Sequence, residues 1–194
     1  MNTKKQQLYT FTLVLRNVNA DTPHLEDSLY EAGCDDALIN FRNGTVFLDF
    51  DREATSLKLA VISAIKNVES ASIKARVASV APEDLVTESE VAARLKKPRQ
   101  TISLWIQGKR RSQTPFPVPV MKLHSRSPLW RWHEIVSWLF NQKIIEEKNL
   151  VEEAEFIEDI NVVLEERENK NILENRKNLL EELNSNSFDQ VMNQ

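Results

Sequence analysis

Three glycines and a single cysteine in 194 residues narrow the chemistry open to this chain. With Cys34 alone there is no internal disulfide and no cysteine-built metal site. Gly44 begins no phosphate-binding loop, and His24, His124 and His133 are not grouped at metal-ligand spacing. A non-enzyme without a cofactor is therefore expected. No run approaches the ~18 apolar residues of a membrane span. Lys4-Lys5 precedes an apolar stretch at 8–15, but Thr10 and Thr12 break it into alternation, Arg16 ends it, and no small-residue cleavage site follows. A cytoplasmic protein with no membrane association is the expectation. Proline is missing from 141–187, where Glu, Lys, Asn and Leu dominate, so that segment reads as helix.

What is present is an uneven charge. The net charge of −4 conceals −3 over residues 1–86, +7 over 87–134 and −8 over 135–194. A basic centre between acidic ends is more telling than the total.

Residues 8–80 alternate strand and helix signals. Tyr9, Phe11, Leu13 and Leu15 alternate with Thr10, Thr12 and Val14 as a strand. Thr22-Pro23 opens a helix with Leu25, Leu29 and Ala32 inward, and Gly33 closes it. Two strands follow at 37–42 and 45–50, joined by Asn43-Gly44, the strongest short hairpin signal. Thr55 or Ser56 starts a second helix with Leu57, Val61, Ala64, Ile65 and Val68 on one face, and Ile73, Ala75 and Val77 mark a last strand. The order β-α-β-β-α-β predicts a ferredoxin-like domain over 1–82, a four-stranded antiparallel sheet with both helices on one face. The class is α+β.

Residues 83–142 form a second expected domain. Thr87 with Glu90 makes a capping box, and Val91, Ala92 and Leu95 repeat at helical spacing. Pro98 suits the first turn of a new helix, Ile102, Trp105 and Ile106 repeat the spacing, and Gly108 stops it. This is a helix-turn-helix. Beyond a proline-rich stretch at 112–119, short strands at 120–123 and 128–132 flank the turn at 124–127, and a helix follows from His133 with Ile135, Val136, Trp138, Leu139 and Phe140 packing. Such a hairpin is a wing. Trp105, Trp130, Trp132 and Trp138 are read as core.

In a helix-turn-helix the exposed start of the second helix meets base edges in the major groove. Arg99 and Gln100 have the bidentate geometry for guanine and adenine, and Ser103 lies one turn further on. Thr101 and Lys97 are placed to hold phosphates, Lys109, Arg110 and Arg111 to follow the backbone, and Lys122, His124, Ser125 and Arg126 to reach phosphates or the minor groove from the wing. Taken singly, each reads as a solvated side chain; cap, turn proline, core spacing, charge and wing together point to double-stranded DNA.

Residues 85–140 resemble the winged helix-turn-helix of the excisionase/MerR-like group of bacterial and phage DNA-binding proteins. The resemblance lies in Leu85-Val-Thr-Glu-Ser-Glu-Val-Ala-Ala-Arg-Leu, Arg99-Gln-Thr-Ile-Ser-Leu-Trp-Ile, Ser127-Pro-Leu-Trp-Arg-Trp and Val136-Ser-Trp-Leu. It implies that Arg99, Gln100 and Ser103 read bases while the wing follows the backbone. Leu104 stands where a basic residue is common, and Lys96-Lys97-Pro98 replaces the usual Gly-x-Ser turn. A sequence-specific transcriptional regulator acting as a homodimer is the resulting expectation, because half-site pairing needs two copies. The alternative is an antitoxin-like or adaptor protein that neutralises a partner through its N-terminal domain or tail. The N-terminal domain itself reads as a dimerisation, ligand-sensing or partner-docking module, since such sheets expose a face and edges that can pair. Residues 143–194 are expected as an acidic helical tail of one helix or two, which shields the DNA surface or adds oligomer contacts. Asp35, Asp36, Asp49 and Asp51 cluster near strand ends, where aspartate usually serves turns.

Overall fold

Alternation in β1 (Gln7–Arg16) buries Phe11, Leu13 and Leu15 on one face of a sheet and turns Thr10, Thr12 and Val14 to the other. This is seen in a computed structural model, which describes residues 5–82, 84–110, 113–168 and 170–184. Helix α1 (Leu25–Glu31), β2 (Ala37–Arg42), β3 (Thr45–Ala54), α2 (Leu57–Ser70) and β4 (Arg76–Ala81) follow, and the sheet order is β2-β3-β1-β4 with every pair antiparallel. The chain is α+β. Phe11 opposes Phe50 across β1 and β3 with ring centroids 5.3 Å apart, and Leu25 and Leu29 from α1 with Val61, Ala64, Ile65 and Val68 from α2 close over that same face.

Three boundaries differ from the sequence reading. β3 runs on to Ala54 rather than ending at Phe50, because β1 pairs with it back to Gln7. Thr22 accepts from the Asn19 N–H within a turn, so its hydroxyl is not available to cap a helix, and α1 starts at Leu25 behind a left-handed His24. The last strand begins at Arg76 and runs on to Ala81, with a register shift opposite Val14/Leu15 that keeps both Val77 and Val80 buried. Ser56 caps α2, accepting from Leu59 N–H at 3.3 Å.

Gly33 ends α1 at φ 84°, and a Cβ there would sit 2.4 Å from the Asn67 amide nitrogen. That amide donates to the carbonyls of Ala32 (2.6 Å) and Gly33 (3.0 Å), satisfying the helix end. Arg52 joins it there. Its guanidinium donates twice to Asp36 at 2.7 Å, once to Gly33 C=O and once to Ser63, and lies 4.9 Å over the Phe50 ring. Asp49 accepts from Thr12 and Asn40, and Asp51 from Thr10. Asp36, Asp49 and Asp51 thus have separate partners, and Asp35 is exposed.

A second core is built from β5 (Leu85–Val86), α3 (Glu88–Arg94), α4 (Arg99–Ile106), β6 (Trp130–Arg131) and α5 (Trp132–Asn141). β5 pairs antiparallel with β6, a pairing the sequence does not announce, and α5 starts one residue earlier than expected. The hairpin expected at 120–132 is reduced to a single bridge, Met121 with Leu129. The residues that should extend its second strand are instead paired with β5.

The acidic tail does not stand apart from the two cores. Helix α6 (Lys148–Glu168) packs on β4, α5 and α2, and its Ile157 and Leu164 belong to the first core. Asn161 donates to Val80 C=O (2.9 Å) and accepts from Val80 N–H (2.7 Å). Arg167 donates to Val77 C=O while Glu69 accepts from Val77 N–H. The β4 edge is therefore capped by side chains, one of the ways an edge strand is protected. Helix α7 (Lys170–Asn184) follows, tied back by Arg176 to Glu165 and Glu166. Among the described residues no helix is long and apolar enough to cross a membrane.

Candidate nucleic-acid interface

The capping box is formed: the Thr87 hydroxyl accepts from Glu90 N–H, and the Glu90 carboxylate accepts from Thr87 N–H at 2.6 Å. The Thr87 backbone N–H and then its hydroxyl hold the Glu90 carboxyl below the usual carboxylate range. At the other end of α3, Lys97 N–H reaches Ala92 C=O (2.9 Å) and Lys96 N–H reaches Ala93 C=O (3.1 Å). That double closure is a Schellman motif, and Lys96 occupies its left-handed position at φ 51° where glycine is usual. The lysine turn thus keeps the glycine-turn geometry. Pro98 is the N-cap of α4 rather than its first residue, with Thr101 N–H donating to Pro98 C=O.

Helix α4 buries Ile102 and Trp105 and leaves Arg99 and Gln100 exposed, with Ser103 half-buried one turn on. Gln107 continues this stripe and donates to the Ser103 hydroxyl at 2.9 Å. The sequence reading missed Gln107, although its spacing of four from Ser103 and seven from Gln100 was a sufficient signal. Arg99 donates through Nε to Glu88 on α3 (3.2 Å), which orients the guanidinium and leaves its remaining N–H groups available. Gly108 closes α4 in a second Schellman motif at φ 66°, with Lys109 N–H on Leu104 C=O. Leu104 is half-buried and Thr101 is half-buried beside it. Lys97, Lys109 and Arg110 are exposed; Arg111 lies outside the described residues.

The charged surface is smaller than the +7 count implies. Arg94 lies 4.9 Å over the Trp132 ring, and Arg131 pairs with Glu158 of α6, where His133 also meets the carboxylate. Those groups serve packing. Lys122, His124, Ser125 and Arg126 form an exposed tip after the Met121 bridge, with Ser125 N–H on Lys122 C=O. Lys122 also acts electrostatically on Glu90, so this hairpin leaves the fold near the start of α3.

The tryptophans hold the arrangement. Trp105 and Trp138 sit 5.5 Å apart, Phe116 meets Trp138 edge-on at 5.1 Å, and the indoles of Trp138 and Trp130 donate to Thr114 and Pro117 carbonyls. The proline-rich stretch is pinned by two indoles rather than loose. No family model, curated protein or solved structure matches the chain.

Proposed function

We propose that this chain is a sequence-specific double-stranded DNA-binding transcriptional regulator, with a ferredoxin-like N-terminal unit and a winged helix-turn-helix whose α4 enters the major groove. The observation that carries the reading is the exposed stripe of α4. Arg99, Gln100, Ser103 and Gln107 share it, Lys96 and Lys97 precede it, and Lys109 and Arg110 follow it. Arginine and glutamine supply bidentate hydrogen bonding to guanine and adenine edges, while the flanking cations neutralise phosphates. Buried Ile102 and Trp105 fix the roll of the helix, so the polar stripe faces outward as a unit. Glu88 holds Arg99 before contact, which lowers the ordering cost of readout. The hairpin tip at 122–126 acts as a wing on the backbone. Two copies read two half-sites.

Selection of bound duplexes from a random pool tests this. The wild-type chain should enrich one motif. Arg99→Ala/Gln100→Ala should lose preference for that motif by about 100-fold, each good bidentate pair contributing about 1–3 kcal/mol, while keeping weak binding to mixed sequence. An enriched motif that the double variant still prefers would refute α4 as the reader.

A further inference from the structure

The two edges of the N-terminal sheet are treated differently. β4 is capped by Asn161, Arg167 and Glu69. On the outer edge of β2 the Ala37 N–H is held by Cys34 C=O at 3.2 Å, whereas the outward backbone groups of Ile39 and Phe41 have no such cover among the described residues. Asp51 N–H donates to Asp36 C=O, which makes 36 and 51 a hydrogen-bonded pair. Alternation along the ladder then turns the backbone of Ala37, Ile39 and Phe41 away from β3. β2 contains no proline, and Leu38 and Phe41 are 66% and 48% exposed along it. An exposed apolar edge of this kind is a template for another strand.

We propose that a second copy of this chain pairs antiparallel along β2, joining the two sheets about a twofold axis at Ile39. In that register Ile39 meets its own counterpart and Phe41 falls opposite Ala37 of the other copy. Beside Ala37 lies a concavity of about 430 Å³, lined in part by Leu29, Tyr30 and Ala37, which receives the Phe41 ring. Arg42, exposed at the end of the strand, falls opposite the Asp35-Asp36 end of the other copy, where Asp36 is held by Arg52 and exposed Asp35 is the carboxylate left to meet it. One end of β2 is basic and the other acidic, so antiparallel pairing is self-complementary in charge, as an isologous interface requires. This rests on the two-copy part of the reading above but not on DNA.

Sedimentation equilibrium of the full chain without DNA tests it. The wild type should have twice the 22.4 kDa chain mass. Phe41→Asp and Arg42→Glu should each weaken association by at least about tenfold, and Asp35→Lys/Arg42→Glu should recover most of the loss. Arg42 is a surface side chain, so that variant reports even if Phe41→Asp fails to fold. A monomeric wild type overturns the interface, as does a dimer unmoved by both single variants and dissociated instead by Leu179→Glu/Leu183→Glu in α7. Failure of the double variant to recover overturns the antiparallel register. A monomer that still selects a DNA motif refutes this interface alone; a β2 dimer that binds no DNA refutes the DNA reading alone.

Discussion

Lys96 holds a left-handed backbone at φ 51° that glycine adopts freely. Lys96→Gly should therefore raise stability by about 0.5–1 kcal/mol, measured by urea unfolding, the relief of left-handed strain outweighing the added freedom of the unfolded chain. The buried indoles separate in the same way. Trp138 donates to Thr114 C=O, whereas Trp105 Nε1 has no acceptor among the described residues. Trp138→Phe should cost about 1 kcal/mol more than Trp105→Phe, because only the first strands a carbonyl. Cys34 offers a titration. Burial first, then the nearby Asp36 and Asp35 charges, push its thiol up to about 11 against the opposing pull of Arg52. The folded state keeps its proton after the unfolded thiol has lost it, so this contribution is intact below about pH 8.5 and is lost as pH rises towards 11. Ultraviolet titration of the thiolate should place the midpoint near 11; a midpoint near 8.5 would mean the thiol is not buried.

At the scale of elements, the α3 cap and the α6 dock are the joints to break. Thr87→Ala removes the hydroxyl of the capping box and should cost about 1 kcal/mol. Glu90 has a depressed folded pKa, so its contribution is present above the ordinary carboxylate range and is lost as pH falls through the depressed value. Glu90→Gln should flatten the acid limb of the stability profile. Asn161→Ala uncovers both backbone groups of Val80 and should cost about 2 kcal/mol in urea unfolding, with a greater tendency to aggregate through the bared edge. The sequence made some of these elements plain and others not. β1, β2, β3 and α2 were legible because alternation, Asn43-Gly44 and a serine cap are local signals. β5 was not, since two residues pair with a strand some 45 positions later. The start of α1 was misplaced because Thr22 also fits a turn. The docking of α6 depends on Asn161 and Arg167 meeting β4, contacts 81 and 90 residues apart that no periodicity encodes. The α4 stripe, by contrast, was legible as far as Ser103.

For the whole molecule, charge placement is the organising fact. Glu158 on α6 takes Arg131 and His133, so part of the acidic tail neutralises the basic unit by packing against it. Among the described residues, and beside Arg99, the cations that stay exposed around α4 and the hairpin tip are Lys96, Lys97, Lys109, Arg110, Lys122 and Arg126. The most direct test of the central claim is the salt dependence of binding to a mixed-sequence duplex. Six phosphate contacts would give log K against log salt a slope of about −5 per copy, and Lys109→Ala/Arg110→Ala should make it shallower by about two. Absence of binding at about 50 mM salt, or a slope unmoved by that double variant, would contradict the account.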